Sequence, residues 1–350
     1  MSIKRILAVE TSCDDTSVAI VQANGFVEAM VSASQDKVHA PFGGIVPEIA
    51  GRSHSEHLMP LIDQIMTQAN LTWQEISALA VTNRPGLVGS LIVGLVTVKT
   101  LALTLNKPFI ALNHIEGHIW APFVFETPEE KNEIPSEFLS LVVSGGHTQL
   151  VHVKGLGNYN ILGRTIDDAA GEAFYKLAKM LGLGYPGGYI VDVKAQQGDP
   201  TKYNFPRPML KSESNDFSFS GLKTAALNEV SHRRNEFNES EINDICASYQ
   251  EAIVDVLCSK FRNAHQKLGG KMAVSVTGGV SANSRLREAV FNWTQEKAIP
   301  CYFPKLKFCT DNAAMIGFAG LQRILQGQTS SQAEGPSPRS YHEDFANEYS

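Results

Sequence analysis

The sequence predicts a duplicated α/β protein of two lobes, and three observations carry that prediction. Residues 3–10 (IKRILAVE) and 16–22 (TSVAIVQ) read as short strands around the polar turn Thr11-Ser12-Cys13-Asp14-Asp15. The same plan returns at 138–143 (FLSLVV) and 148–153 (TQLVHV) around Ser144-Gly145-Gly146-His147, which points to an internal repeat. Strand-like segments at 78–82, 108–112 and 272–277 alternate with helical patterns at 54–68, 88–105 and from about 282, the signature of a mostly parallel sheet.

The 350 residues are enough for a core in each of two domains. The segment 126–136 (ETPEEKNEIPS) is acidic, proline-bearing and poor in apolar residues, so the boundary is expected there: a first lobe over 1–130 and a second over 131–330. Residues 198–240 show little periodicity until Leu222 and read as an insertion in the second lobe, and 331–350 read as a polar tail. Hydrophobic residues make up 43% and charged residues 19%, and no apolar run approaches a membrane span, which predicts a soluble folded protein. The formal charge of -6 excludes a generic polyanion binder; a nucleic-acid substrate would need a local patch or a partner. Five cysteines without a CxxC pair argue against a disulfide framework and against a zinc knot. With no signal-peptide or transit-peptide pattern in MSIKRILAVE, a cytoplasmic location is expected.

The segment Asn113-His114-Ile115-Glu116-Gly117-His118 follows a strand and opens a helix, where i, i+4 spacing puts both imidazoles on one face, as paired metal ligands require. Two histidines at a helix start equally suit hydrogen-bonded core groups, and a third ligand is needed. Asp311, in Phe308-Cys309-Thr310-Asp311-Asn312-Ala313, stands where a polar triplet leads into an apolar helix, so a helix cap competes with ligation there. The zinc-protease motif needs Glu directly after the first His; Glu116 is two positions on, which disfavours peptidase chemistry. Three glycine turns, Ser144 to Thr148, Tyr185-Pro186-Gly187-Gly188 and Thr277 to Asn283, would let backbone N–H groups approach an anion. None matches the Rossmann or P-loop pattern. Asp14 and Asp15 suit either Asx-turn hydrogen bonds or a base near phosphate, and Lys202, Arg207, Lys211, Arg233 and Arg234 suit either a solvated face or RNA phosphates.

Ten ordered motifs, ETSCDDTSVAI, GGIVPEIAGRSH, NHIEGHIWAP, VSGGHTQL, DDAAGEAF, YPGG, FPRPM, DFSFSGLKTA, SVTGGVSANS and CTDNAAMIG, span about residues 4–325. On these the chain strongly resembles the TsaD family of tRNA threonylcarbamoyladenosine synthases, within the actin-like, sugar-kinase-like and Hsp70-like ATPase superfamily. The resemblance implies two lobes of duplicated RNase H-like fold with an interlobe nucleotide cleft. It implies transfer of the threonylcarbamoyl group from threonylcarbamoyl-AMP to the exocyclic amine of the adenosine 3′ of the anticodon in tRNAs reading ANN codons. It implies one divalent metal, iron(II) before zinc, on His114, His118 and Asp311; substrate contacts at Val142, Val143, Ser144, Gly145, Gly146, Gly188, Asp192 and Asn283; and Asp14 and Asp15 near the reacting carbonyl. Its expected partners are tRNA, a TsaB-like paralogous subunit and a TsaE-like ATPase. The chain departs from the pattern at Tyr175, where AFDK is usual and the aspartate is a ribose contact, at Tyr189, where PGGP is usual, and at Arg84, where the common turn has glycine. Two other readings compete: a small-molecule kinase or ATPase of the same superfamily, against which the histidine pair argues, and a weakly active or non-catalytic subunit of a tRNA-modifying complex, which the two tyrosines favour.

Overall fold

The computed structural model describes residues 3–42, 44–127, 129–130, 133–231 and 237–339. The first sheet is β1 (Arg5–Glu10), β2 (Asp15–Gln22), β3 (Val27–Ser34), β4 (Ala78–Arg84) and β5 (Phe109–Asn113), in the order β3-β2-β1-β4-β5. The first three strands form an antiparallel meander, and β4 and β5 run parallel to β1. The connections carry α1 (Asp36–His39), α2 (Pro47–Gln68) and α3 (Val88–Leu105), and α4 (His114–Trp120) follows β5 directly. The second sheet, β6 (Phe138–Val143), β7 (Thr148–Val153), β8 (Tyr159–Arg164), β9 (Ala273–Thr277) and β10 (Cys301–Tyr302), has the order β10-β9-β6-β7-β8, which is the same plan repeated. Its helices are α5 (Ala170–Met180), α6 (Gly187–Ala195), α7 (Ser220–Ser231), α8 (Glu239–Lys267) and α9 (Ser284–Glu296); α10 (Ala313–Leu325) follows.

The apolar character of β1 on both faces follows from cover on both sides. Leu7 and Val9 join Leu58 and Ile62 of α2 and Leu95 and Val98 of α3 in one buried cluster. The opposite face meets α10, where an added Cβ on Gly320 would sit 2.7 Å from Ala80 Cβ and 3.2 Å from Ile110 Cγ2, so only glycine lets the helix lie this close to β4 and β5. The hairpins and α3 fall where the sequence pattern puts them. By contrast α2 begins at Pro47, seven residues before the apolar pattern at 54, because its first turns are polar and only the proline at the first helical position marks the start.

Close contacts group the chain into Met1–Ile134 with Gly155–Tyr159 and Thr310–Ser350 as one unit, and Pro135–Lys154 with Asn160–Cys309 as the other. This differs from a single cut at 130/131, because α10 buries its apolar face on the first sheet although it follows the second in sequence. The described part of the polar tail is also fixed to the first unit: Asn83 Nδ2 donates to Glu334 Oε1 at 2.6 Å and Lys99 Nζ to Glu334 O at 2.7 Å, and just before the tail Ser330 N–H donates to Phe109 O at 2.8 Å. In the insertion, the buried Lys260 of α8 donates to the carbonyls of Ser212 and Ser214, and Arg207 pairs with Asp255 at 3.0 Å. Arg207 is therefore neutralised within the protein; Arg233 and Arg234 lie outside the described residues.

Replacing Gly320 by Leu overpacks the α10 contact and is expected to cost about 1–3 kcal/mol. Urea denaturation measures this, and an unchanged midpoint would mean that α10 does not lie flush on the sheet.

Candidate metal centre and anion-binding turns

The parallel strands of the first sheet end in polar residues that converge. Asn113 closes β5 and caps α4 by accepting from Ile115 N–H at 2.8 Å, so the helix begins at His114. All seven residues of α4 are buried, and the rings of His114 and His118 stand edge to face with centroids 4.6 Å apart. On α10 the cap is Asn312, whose side chain accepts from Met315 N–H at 3.0 Å. Asp311 is thus spared the capping role that competes with ligation in the sequence, and its Oδ1 lies 3.2 Å from Nε2 of each histidine. One donor atom from each of the three residues falls within 4.8 Å of the others.

Both histidines are buried, whereas the Asp311 side chain keeps about a quarter of its surface. Burial disfavours charge on His114, yet Asp311 and then Glu10 hold its pKa well above the ordinary value. Burial opposes charge on Asp311 too, but the histidines pull its pKa well below the carboxylate range. Burial lowers His118. A neutral imidazole, a second imidazole held protonated by carboxylates and an ionised carboxylate make a donor set that a divalent cation fits by displacing one proton.

Asp14 lies in the turn after β1, and Asp15 opens β2 rather than ending the turn. Burial, then the charges of Asp14 and Asp311, push the Asp15 carboxyl up to about 7, and its Oδ1 has no hydrogen-bond partner among the described residues. Side chains that the sequence reading does not single out hold this turn. His54 of α2 places Nε2 3.0 Å from Cys13 O and Nδ1 2.7 Å from the Thr16 hydroxyl, and Ser90 of α3 donates to Cys13 O at 3.2 Å. Glu116, between the histidines, accepts from Arg323 of α10 at 2.7–2.9 Å and from the Tyr159 hydroxyl at 2.7 Å, a buried set that ties α4 to α10. A carboxylate between two histidines on a short helix is the signal for it in the sequence.

In the second unit, Val142 and Val143 are buried in β6, and Ser144 N–H closes the hairpin on His147 O at 2.7 Å. Gly278 (φ +90) backs this turn, where a Cβ would strike Val143 O. A Cβ on Gly145 or Gly146 would meet no protein atom within 4 Å, so there is open space on the Cβ side of both residues. Gly188 lies in the first turn of α6. Asp192 and Asn283 meet each other: Asn283 Nδ2 donates to Asp192 Oδ1 at 3.2 Å and to Gln250 Oε1 at 2.6 Å, and Ser284 N–H donates to Asp192 Oδ2 at 3.1 Å. Both therefore serve the start of α9. Tyr175 is half-buried and packs edge-on to Tyr185 at 6.2 Å, Tyr189 is exposed, and Arg84 pairs with Glu334 at 3.5 Å.

Two copies of one α/β plan, the first with a His-His-Asp centre at its strand ends, define a protein of the actin-like ATPase fold class with a candidate metal site. The solved structure of HypF from T. kodakarensis shares this fold, with a TM-score of 0.58 at 10% identity over 93% of this chain and 48% of that one. The chain belongs to the TsaD family, tRNA N6-adenosine threonylcarbamoyltransferase, which matches residues 27–318. A protein of that name from Bdellovibrio bacteriovorus is 50% identical over 347 residues, covering 98% of this chain and 99% of the relative. Another, from Syntrophotalea carbinolica, is 44% identical over 325 residues, covering 93% of each. The chain is accordingly a tRNA-modifying transferase.

The purified protein is expected to carry about one divalent ion. His114→Ala and His118→Ala should each lose it by elemental analysis, and full metal in the double variant would sink the site. Because the ion replaces a proton on His114, affinity should fall as pH is lowered, which a titration against a chelator reads directly.

Proposed function

We propose that the chain transfers threonylcarbamoyl from threonylcarbamoyl-AMP to the N6 amine of the adenosine 3′ of the anticodon in tRNAs reading ANN codons. The observation that carries the reading is the convergence of His114, His118 and Asp311 beside the acidic turn, in a chain whose relatives bear this activity in their names. His114, His118 and Asp311 hold one divalent ion, for which iron(II) ranks before zinc. That ion supplies Lewis acidity toward a carbonyl or phosphate oxygen.

Asp15 takes the proton from the attacking amine as the new N–C bond forms and the C–O bond to AMP breaks; a carboxyl at about 7 is matched to that task near neutral pH. Asp14 keeps Asp15 high by like-charge repulsion. The exposed amides of Gly145 and Gly146, with Gly188, supply N–H groups for an adenylate phosphate. Val142, Val143 and Ser144 beside the first turn, and Asp192 and Asn283 at the start of α9, are the further substrate contacts. A TsaB-like subunit and a TsaE-like ATPase complete the system, and Val88, Ile92 and Val96, an exposed i, i+4, i+8 apolar stripe on α3, suit a helical partner.

A reconstituted assay with threonylcarbamoyl-AMP, tRNA and the two partner proteins tests the reading. The chain alone should modify tRNA poorly, and fast multiple turnover unaffected by partners would contradict their role. Activity should rise with pH as Asp15 ionises, with the limb at or below about 7 because a bound ion offsets the Asp311 charge that helps to raise it. Asp15→Asn should flatten that limb and lower kcat/KM by about 10²–10⁴; a retained limb moves the base elsewhere.

Tyr175→Asp restores a carboxylate acceptor. Calorimetry with an adenylate analogue should show binding tighter by about one to two orders of magnitude. Equal affinity in the two proteins would leave Tyr175 a packing residue against Tyr185.

A further inference from the structure

Glu10 ends β1 with no exposed surface, and three donors meet its carboxylate. Ser12 N–H donates to Oε1 at 2.5 Å, the Thr82 hydroxyl of β4 donates to Oε2, and His114 Nδ1 lies 3.1 Å from Oε2. A carboxylate buried this deeply persists only if its oxygens are satisfied, and an ionised carboxylate can only accept. An imidazole carries one nitrogen on each edge, so fixing Nδ1–H toward Glu10 fixes where the Nε2 lone pair points. That second edge is the one 3.2 Å from Asp311 Oδ1. The Ser12 hydroxyl, 3.2 Å from the same Nδ1, can rotate to donate or accept and does not select between the two ring forms.

We infer that Glu10 is a positioning residue for the metal centre: it holds His114 with Nδ1–H toward β1 and Nε2 toward the ion, and through Ser12 N–H it ties that ring to the turn bearing Asp14 and Asp15. This rests on the reading of His114, His118 and Asp311 as the metal ligands. Such outer carboxylates orient ligating histidines, and their loss typically lowers metal affinity by about 10–100-fold.

The test uses the full chain, freed of metal, with Co²⁺ and Zn²⁺ as probes. Affinity is read by competition with a chromophoric chelator, and the visible spectrum of the Co²⁺ form reports ligand geometry. Glu10→Ala should weaken both ions by about 10–100-fold and alter the Co²⁺ spectrum. In a His114→Ala background the same change should cost nothing further, because the residue acts through that ring. Glu10→Gln, with one acceptor oxygen where the carboxylate serves donors at both, should weaken binding by less than Glu10→Ala but clearly. Melting temperatures of the metal-free variants separate lost orientation from lost fold, and if the alanine variant does not fold the glutamine variant decides. Wild-type affinity in either folded variant, or an undiminished cost in the His114→Ala background, would overturn the inference. A wild-type chain that binds neither ion would overturn the metal centre itself, and the inference with it.

Discussion

Two imidazoles and the Glu10 carboxylate are buried together in the first unit beside the partly exposed Asp311, and burial on that scale is tolerable only where each charge has a partner. His114 and His118 face Asp311, His114 faces Glu10 on its other edge, and Glu10 in turn satisfies Ser12 and Thr82. The geometry of the sheet follows from this demand. Glu10 and Thr82 come from β1 and β4, the histidines from the residues after β5, and Asp311 from the approach to α10, so the carboxyl ends of neighbouring parallel strands must be in register for the set to close. Open α/β sheets place ligands at that same end. Here the reason is visible in the side chains: the strand ends deliver a set of groups that no single element could assemble.

The repeated plan supplies the scaffold twice but the charges once. β1 ends in Glu10, whereas β6 ends in Val143; the turn after β1 runs into Asp14 and Asp15, whereas the turn after β6 is Ser144-Gly145-Gly146-His147. The first hairpin is therefore suited to cations and protons, and the second offers uncharged backbone donors suited to an anion. A duplicated fold lets each copy specialise because strand order and side-chain chemistry are set by different residues: the apolar positions inside the strands fix the one, the few residues beyond the strand ends fix the other.

Much of this was legible in the sequence where the signal is local. The hairpins were readable from apolar runs around polar turns, and the histidine pair from its i, i+4 spacing. Asp311 stood out as polar before an apolar helix, although local grounds alone could not tell it from a cap; the structure separates the two by giving the cap to Asn312. Glu10 stands first in the motif ETSCDDTSVAI, but its role was not legible, because its partner His114 is 104 residues away. His54 was hidden for the same reason, its acceptor at Cys13 lying 41 residues back. The return of α10 to the first sheet was invisible because nothing within that helix states which of two similar sheets it covers. Asp192 and Asn283, which the resemblance assigns to substrate, are 91 residues apart in sequence and meet at the start of α9, a pairing that no local pattern announces.

The same economy bears on how a chain of charge -6 handles a polyanion. Several of its arginines are paired internally: Arg5 with Glu28, Arg207 with Asp255, Arg285 with Glu251 and Arg323 with Glu116. Each such pair stabilises the fold locally and removes a cation from the surface that would otherwise meet phosphate. The Arg323–Glu116 pair is the extreme case, since both side chains are almost fully buried and the pair ties α10 to the helix that carries both histidines. Cations committed to holding the centre together cannot also attract RNA. A transferase built this way commits these cations to its own fold, so steering of the nucleic acid falls to residues outside these pairs.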